Sequence, residues 1–184
     1  MTNEEFQTAV ELLLEGQKEG LRQIYEAYVR LIFAVVSDVV GRREDAEDIT
    51  SEFFIKLIRV LPSYKKGSPH RAWLITIAKN MALDWLRKSG RERLFADDDE
   101  VQEGGTLEKS DESSVEDRTV LGMDMQAAMN KLDKKEKEII DMKLIGELKF
   151  REIASITGQP IGTVTWIYNQ GIKKLRRCLE DYEG

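Results

Sequence analysis

The sequence predicts an all-α protein: two small helical domains joined by an acidic, flexible linker. Three observations carry that prediction. Apolar residues recur at three- and four-residue steps through most of the chain, and no segment holds the apolar–polar alternation of a half-buried strand. Gly16, Gly41, Pro62, Gly158 and Pro160 stand at the ends of these periodic segments, where helices stop and start. Residues 94–120, "LFADDDEVQEGGTLEKSDESSVEDRTV", break the periodicity with acidic, Gly and Ser residues. They separate a first domain, 1–93, from a second, 121–184.

The first helix is read over "EEFQTAVELLLEG", residues 4–16. The second is read over "EGLRQIYEAYVRLIFAVVSDVVG", residues 19–41; each stops at a glycine. A third runs from about Arg43 to Leu61 and ends at Pro62, which cannot continue a hydrogen-bonded helix. The loop "SYKKGSPHR", residues 63–71, follows. A fourth helix, "AWLITIAKNMALDWLRKSGRER", covers residues 72–93. After the linker, "VLGMDMQAAMNKL" reads as one helix. Asp133 and Glu136 form a D-x-x-E start signal for the next. "KFREIASITG" is short and closes at Gly158. Pro160 opens the last, long helix, to about Tyr182.

Composition excludes several classes. The longest apolar stretches, such as Leu31 to Val36, are far too short to span a bilayer. The acidic start "MTNEEFQTAVELLLEG" is not a secretory signal. One cysteine, Cys178, allows no internal disulfide, which fits a reducing cytoplasm. One histidine and one cysteine make no zinc site of the usual kind. With no Gly-rich phosphate loop and no metal-ligand cluster, nothing carries a hydrolase or transferase reading. The expectation is therefore no catalytic residue, no metal, no cofactor and no small-molecule substrate.

The net charge of −6 conceals a strong asymmetry. Residues 56–93 hold ten Lys/Arg against two Asp/Glu, a balance of +8. They lie between blocks of −7 (residues 1–55) and −8 (residues 96–120). Charge attracts at short range in salt, so a basic block can hold an anion despite an acidic total.

Four segments could carry function. On the third helix, Asp45, Asp48, Glu52 and Lys56 recur at helical steps beside apolar Ile49, Phe53, Phe54, Leu57 and Leu61. This is either a solvated acidic face or a docking face for a basic partner helix. In the loop, Tyr64, Lys65, Lys66, His70 and Arg71 mix aromatic and basic groups. Such a mixture suits a nucleic-acid single strand, or an ordinary basic surface. On the fourth helix, Thr76, Asn80, Asp84, Arg87 and Arg91 form one polar stripe, with Lys79 and Lys88 at its edges. Trp73, Leu74, Ile77, Ala78, Met81 and Trp85 form the core side. The last two helices have the short–turn–long shape of a helix-turn-helix, or of a plain helical hairpin. In the longer one, Ile161, Val164, Tyr168, Ile172, Leu175 and Leu179 share one stripe. Thr163, Trp166, Ile167, Gln170, Lys173, Lys174 and Arg177 share the opposite one.

"DAEDITSEFFIKLIRVLPSY", "AWLITIAKNMALDWLR", an acidic linker, "LDKKEKEIIDMKL" and "REIASITGQPIGTV", in that order, resemble the extracytoplasmic-function (ECF) sigma factors of bacterial RNA polymerase. The resemblance runs from about Phe6 to Tyr182. It implies that residues 1–93 are sigma domain two and residues 121–184 are sigma domain four. It assigns polymerase docking to Asp45, Asp48, Ile49, Glu52, Phe53 and Lys56. It assigns minus-ten recognition and melting to Tyr64, Lys65, Lys66, His70, Arg71, Lys79, Asn80, Arg87, Lys88 and Arg91, with Asn80 at the position of a base-pocket asparagine. It assigns minus-thirty-five recognition to Thr163, Thr165, Trp166, Ile167, Gln170, Lys173, Lys174 and Arg177. The implied partners are core RNA polymerase, promoter DNA as duplex and as melted non-template strand, and an anti-sigma factor, in the cytoplasm.

Two departures matter. Ser51 stands where the family commonly has Gln. After "GTV", Trp166 and Ile167 replace a Ser-Arg pair, and Gln170 and Ile172 stand where arginines are usual. The competing reading is a stand-alone helix-turn-helix regulator, which leaves the third helix and the basic loop without a role.

Overall fold

The computed structural model describes residues 1–96 and 128–180, with side chains described for 1–89 and 128–178. The chain divides into two compact units, Met1–Lys109 and Ser110–Gly184. No strand occurs among the described residues.

The first unit holds α1 (Asn3–Leu14), α2 (Lys18–Val40), α3 (Arg43–Val60), a short 3-10 turn (Leu61–Ser63) and α4 (His70–Ala96). Local chemistry sets most of these ends. At the start of α1, the Thr2 hydroxyl accepts from Glu5 N–H while the Glu5 carboxylate accepts from Thr2 N–H, a reciprocal cap. Helix α2 closes on Gly41 at φ 80°, a region that costs glycine nothing. Pro62 tightens the end of α3 into the 3-10 turn. Helix α4 continues to Ala96, three residues beyond the domain end read from the sequence.

Helix α2 is the hub: α1, α3 and α4 all pack on it. Its buried row Ile24, Tyr28, Leu31, Ile32, Val35 and Val36 meets Phe6, Ala9 and Val10 of α1 and Leu74, Ile75, Ala78 and Ala82 of α4. Small residues on α4 let two broad helices approach. At Gly20 the approach of α1 is very close. A Cβ there would lie 2.2 Å from the Ala9 carbonyl oxygen, so only glycine admits the α1–α2 crossing.

The second unit holds α5 (Lys134–Leu144), α6 (Phe150–Thr157) and α7 (Ile161–Glu180). Asp133 and Glu136 form the capping box that their spacing predicts. Gly158, at φ 69°, caps α6 and makes the turn into α7. Helices α5 and α6 both pack on α7. The helix read over 120–132 and the linker lie largely outside the described residues.

Candidate nucleic-acid and docking interfaces

On α3 the carboxylates Asp48 and Glu52 are exposed, as is Lys56, whereas Asp45 is half-buried with its carboxylate 3.8 Å from Arg42. Ile49 and Phe53 do not join this face. They point inward and are 3% and 0% exposed, so their assignment to docking is corrected: they are core. The face has apolar members that sequence reading missed. Ile55 is 58% exposed and Ile58 43%. Ile55 lies three residues after Glu52 and seven after Asp48, so the helical period alone could have placed it there. The outer face of α3 is thus an acidic rim around an exposed isoleucine, beside the Tyr25 ring that packs on Phe54 at 4.8 Å.

The basic loop is largely tied down from within. The Tyr64 ring packs between Phe6 (5.2 Å) and Trp73 (5.0 Å), and its hydroxyl donates to the Ser68 carbonyl at 2.6 Å. Burial raises its pKa, so it stays a phenol. Lys66 Nζ lies 3.1 Å from Glu11 Oε1 of α1. Arg71 donates to the Met1 carbonyl at 3.3 Å. Lys65 is exposed, with no ion pair among the described residues.

His70 overturns its assignment to DNA. It is 3% exposed and begins α4. Its Nε2 accepts from the Tyr28 hydroxyl and its Nδ1–H donates to the Asn3 side-chain carbonyl. The Phe6 ring stacks on it at 4.4 Å. Burial, with help from the Arg71 charge, holds its pKa down at about 4, so the imidazole is neutral at physiological pH. It is an internal fastener that a polar loop position disguised.

Helix α4 places Thr76, Asn80, Arg87 and Lys88 on the exposed side and leaves Lys79 half-buried. Arg87 holds Asp84 at 2.9 Å. Asn80 has no hydrogen bond among the described residues. The Arg91 side chain lies outside the described residues.

On α7 the buried set is Val164, Ile167, Gly171, Leu175 and Cys178. Ile167 is 8% exposed, so its assignment to the reading face is corrected. The cause is Gly171. A Cβ there would lie 2.5 Å from Ile140 Cδ1 and 3.4 Å from Glu136 Cβ. The bare position lets α5 lie close on α7 and cover Ile167 one turn earlier. Ile161, read as core, is 46% exposed. Lys174 is already engaged. Its ammonium lies 2.7 Å from the buried Glu136 carboxylate, a bond that raises the lysine pKa. The exposed stripe is Gly162, Thr163, Trp166, Asn169, Lys173, Arg176 and Arg177, with Thr165 and Gln170 at its edges. Asn169 and Arg176 were missed, although Asn169 lies one turn from both Trp166 and Lys173.

Family models match part of each unit. The one for Sigma-70 region 2 matches residues 24–92, and the one for Sigma-70, region 4 matches residues 122–175. RNA polymerase sigma factor SigV of Bacillus subtilis is 30% identical over 81% of this chain and 82% of its own length. The chain belongs to the ECF sigma-factor family. The ECF RNA polymerase sigma factor BldN of Streptomyces coelicolor is 27% identical over 94% of this chain, which spans 65% of that relative's length. A similar fold occurs in the sigma factor RpoE of Bartonella quintana, solved with the anti-sigma factor NepR. There the TM-score is 0.61 and the identity 24%, over 89% of this chain and 98% of that one. In this ECF chain the region 2 match begins at Ile24, inside α2, so α1 and its fastening of the loop lie outside it.

Proposed function

We propose that this chain is a promoter-specificity subunit of bacterial RNA polymerase, acting in the cytoplasm. It performs no bond chemistry and takes no cofactor. The observation that carries the reading is the order of the two sigma regions, each presenting an exposed face of fitting chemistry. Residues 1–93 act as domain two, 94–120 as linker and 121–184 as domain four. The acidic face of α3, with Asp48, Glu52 and Ile55, docks on the polymerase. Lys65, Lys79, Asn80, Arg87, Lys88 and Arg91 meet the minus-ten element, and Asn80 offers an amide to a flipped base. Unstacking costs a few kcal/mol per step, which contacts to the flipped base and the displaced strand offset. The exposed stripe of α7 meets the minus-thirty-five element as duplex. An anti-sigma factor, as the resemblance implies, silences the free chain.

Run-off transcription with purified core polymerase tests this. A transcript that starts downstream of paired minus-thirty-five and minus-ten elements, and only when the chain is added, is the expected outcome. Tight binding to palindromic duplex without polymerase, and no transcript with it, would turn the assignment toward a stand-alone regulator.

A further inference from the structure

This inference rests on the reading of α7 as a major-groove helix, and it names the bases that helix takes. In such a helix the N-terminal turns meet base edges and later turns pass to the backbone. From residue 161 to 172 this chain has no Lys or Arg. Its cations, Lys173, Lys174, Arg176 and Arg177, all come later, in the turns that pass to the backbone in such a helix. Guanine is read by a bidentate Arg or Lys on O6 and N7. The first three turns of α7 have nothing to make that contact.

What they offer instead is an indole and an amide. Trp166 is 62% exposed. Leaving so large an apolar surface in water is costly, and it marks a contact surface. One turn on, Asn169 is exposed and has no hydrogen bond among the described residues. The pair share one face, since residues three apart on a helix are neighbours. The indole borders a cleft whose charges, Asp133 and Glu136 against Lys135 and Lys174, are balanced, so no excess charge there draws in a phosphate.

We propose that Trp166 and Asn169 set the minus-thirty-five specificity, and that the first turns of α7 read A·T pairs with no guanine contact. The indole lies on a thymine C5-methyl group, the apolar feature of the major groove. The Asn169 amide accepts from adenine N6 and donates to N7, the pairing that its geometry fits.

The experiment uses the full chain with core polymerase on promoters randomised across the minus-thirty-five element. A·T pairs should be enriched at adjacent positions. Replacing the selected thymine with deoxyuridine removes only the methyl group. That should weaken open-complex formation by roughly fourfold, the worth of one buried methyl. Trp166→Ala should abolish the difference between thymine and deoxyuridine, and Asn169→Ala should lose adenine preference by roughly tenfold. Both side chains are exposed, so core binding by each variant should equal that of the parent and serves as the control for folding. Enrichment of guanine that both variants leave unchanged, or equal activity on thymine and deoxyuridine promoters, would overturn the proposal while leaving the sigma assignment standing. No transcript from any library member would overturn both.

Discussion

The two units treat their polar side chains in opposite ways. In the first, the loop that sequence reading nominated for single-stranded DNA is bonded inward. Tyr64 is packed on Phe6, Lys66 is held by Glu11, and His70 is fastened to Asn3 and Tyr28. In the second, the stripe through Trp166, Asn169 and Lys173 is open, while beside it Lys174 is engaged by Glu136 and Thr165 by the Ile161 carbonyl. A flexible loop must be given a shape before it can grip a strand, and α1 supplies that shape in advance. A helix has its shape already, so its outer face can stay free. Residue type is therefore a poor guide to availability in a loop and a better one on a helix face.

The largest effect should separate the outer surface of the first unit from its interior. Asp48→Lys with Glu52→Lys places like charge against a basic partner helix. It should weaken core polymerase binding by about 2 to 4 kcal/mol. Both positions are exposed, so the melting temperature should not move. Unchanged affinity in a competition binding assay would remove α3 from the docking surface.

The next sharpens how each unit is held. Alanine at Gly20 would drive a Cβ into the backbone of α1, 2.2 Å from an oxygen that cannot give. Alanine at Gly171 meets the free end of Ile140, which can turn aside. Gly20→Ala should destabilise its unit by about 3 kcal/mol and Gly171→Ala by about 1, each net of the better helix propensity of alanine. Urea unfolding followed on each unit would rank them. Equal costs would mean that α1 sits less tightly on α2 than the crossing requires.

These two cases show where the sequence was legible. Helix ends were readable because their causes lie within four residues: the Asp133–Glu136 box, Gly41, Gly158 and Pro62. The face of α3 was half readable. Asp48 and Glu52 are on it, but Ile49 and Phe53 belong to the inner arc and Ile55 to the outer. Ile167 was misplaced because the width of the buried arc on α7 depends on how closely α5 approaches, and that depends on Gly171. The fastening of the loop was not readable at all. Asn3 and Phe6 meet His70 across more than sixty residues of chain, and no local pattern announces the contact.

An effect of similar size concerns that fastener and pH. The pKa of His70 is about 4 in the folded chain, against an ordinary 6.5, because burial disfavours the charged ring. Between those values the unfolded chain binds a proton that the folded chain does not. Stability from this group is therefore unaffected above about pH 6.5 and falls as pH drops toward 4. The loss in the first unit should be about 3 kcal/mol by pH 4. His70→Gln should flatten that slope. Glu5, Glu11 and Glu19, whose pKa values are lowered from 4.5 by their hydrogen bonds, add their own loss only at more acid pH. An unaltered slope in the variant would place the titrating group elsewhere.

The smallest effect tests the contrast inside the loop itself. Lys65 and Lys66 are adjacent and equally basic, yet Lys66 lies 3.1 Å from Glu11 while Lys65 has no ion pair among the described residues. An exposed pair of this kind is worth about 0.2 to 1 kcal/mol, so a phosphate can displace Glu11, but only at that cost. Lys65 meets a phosphate at no such cost. Each phosphate contact to a single strand contributes roughly 0.7 to the log–log salt slope. Lys65→Ala in the holoenzyme should therefore lower the slope for a minus-ten oligonucleotide by about that amount, and Lys66→Ala by less. Glu11→Gln should do the reverse, freeing Lys66 and steepening the slope, while Phe6 and His70 keep the loop in place. Equal slopes for the two lysine variants, with no response to Glu11→Gln, would mean that the ion pair does not persist in solution. The two halves of the molecule would then differ less than their contacts indicate.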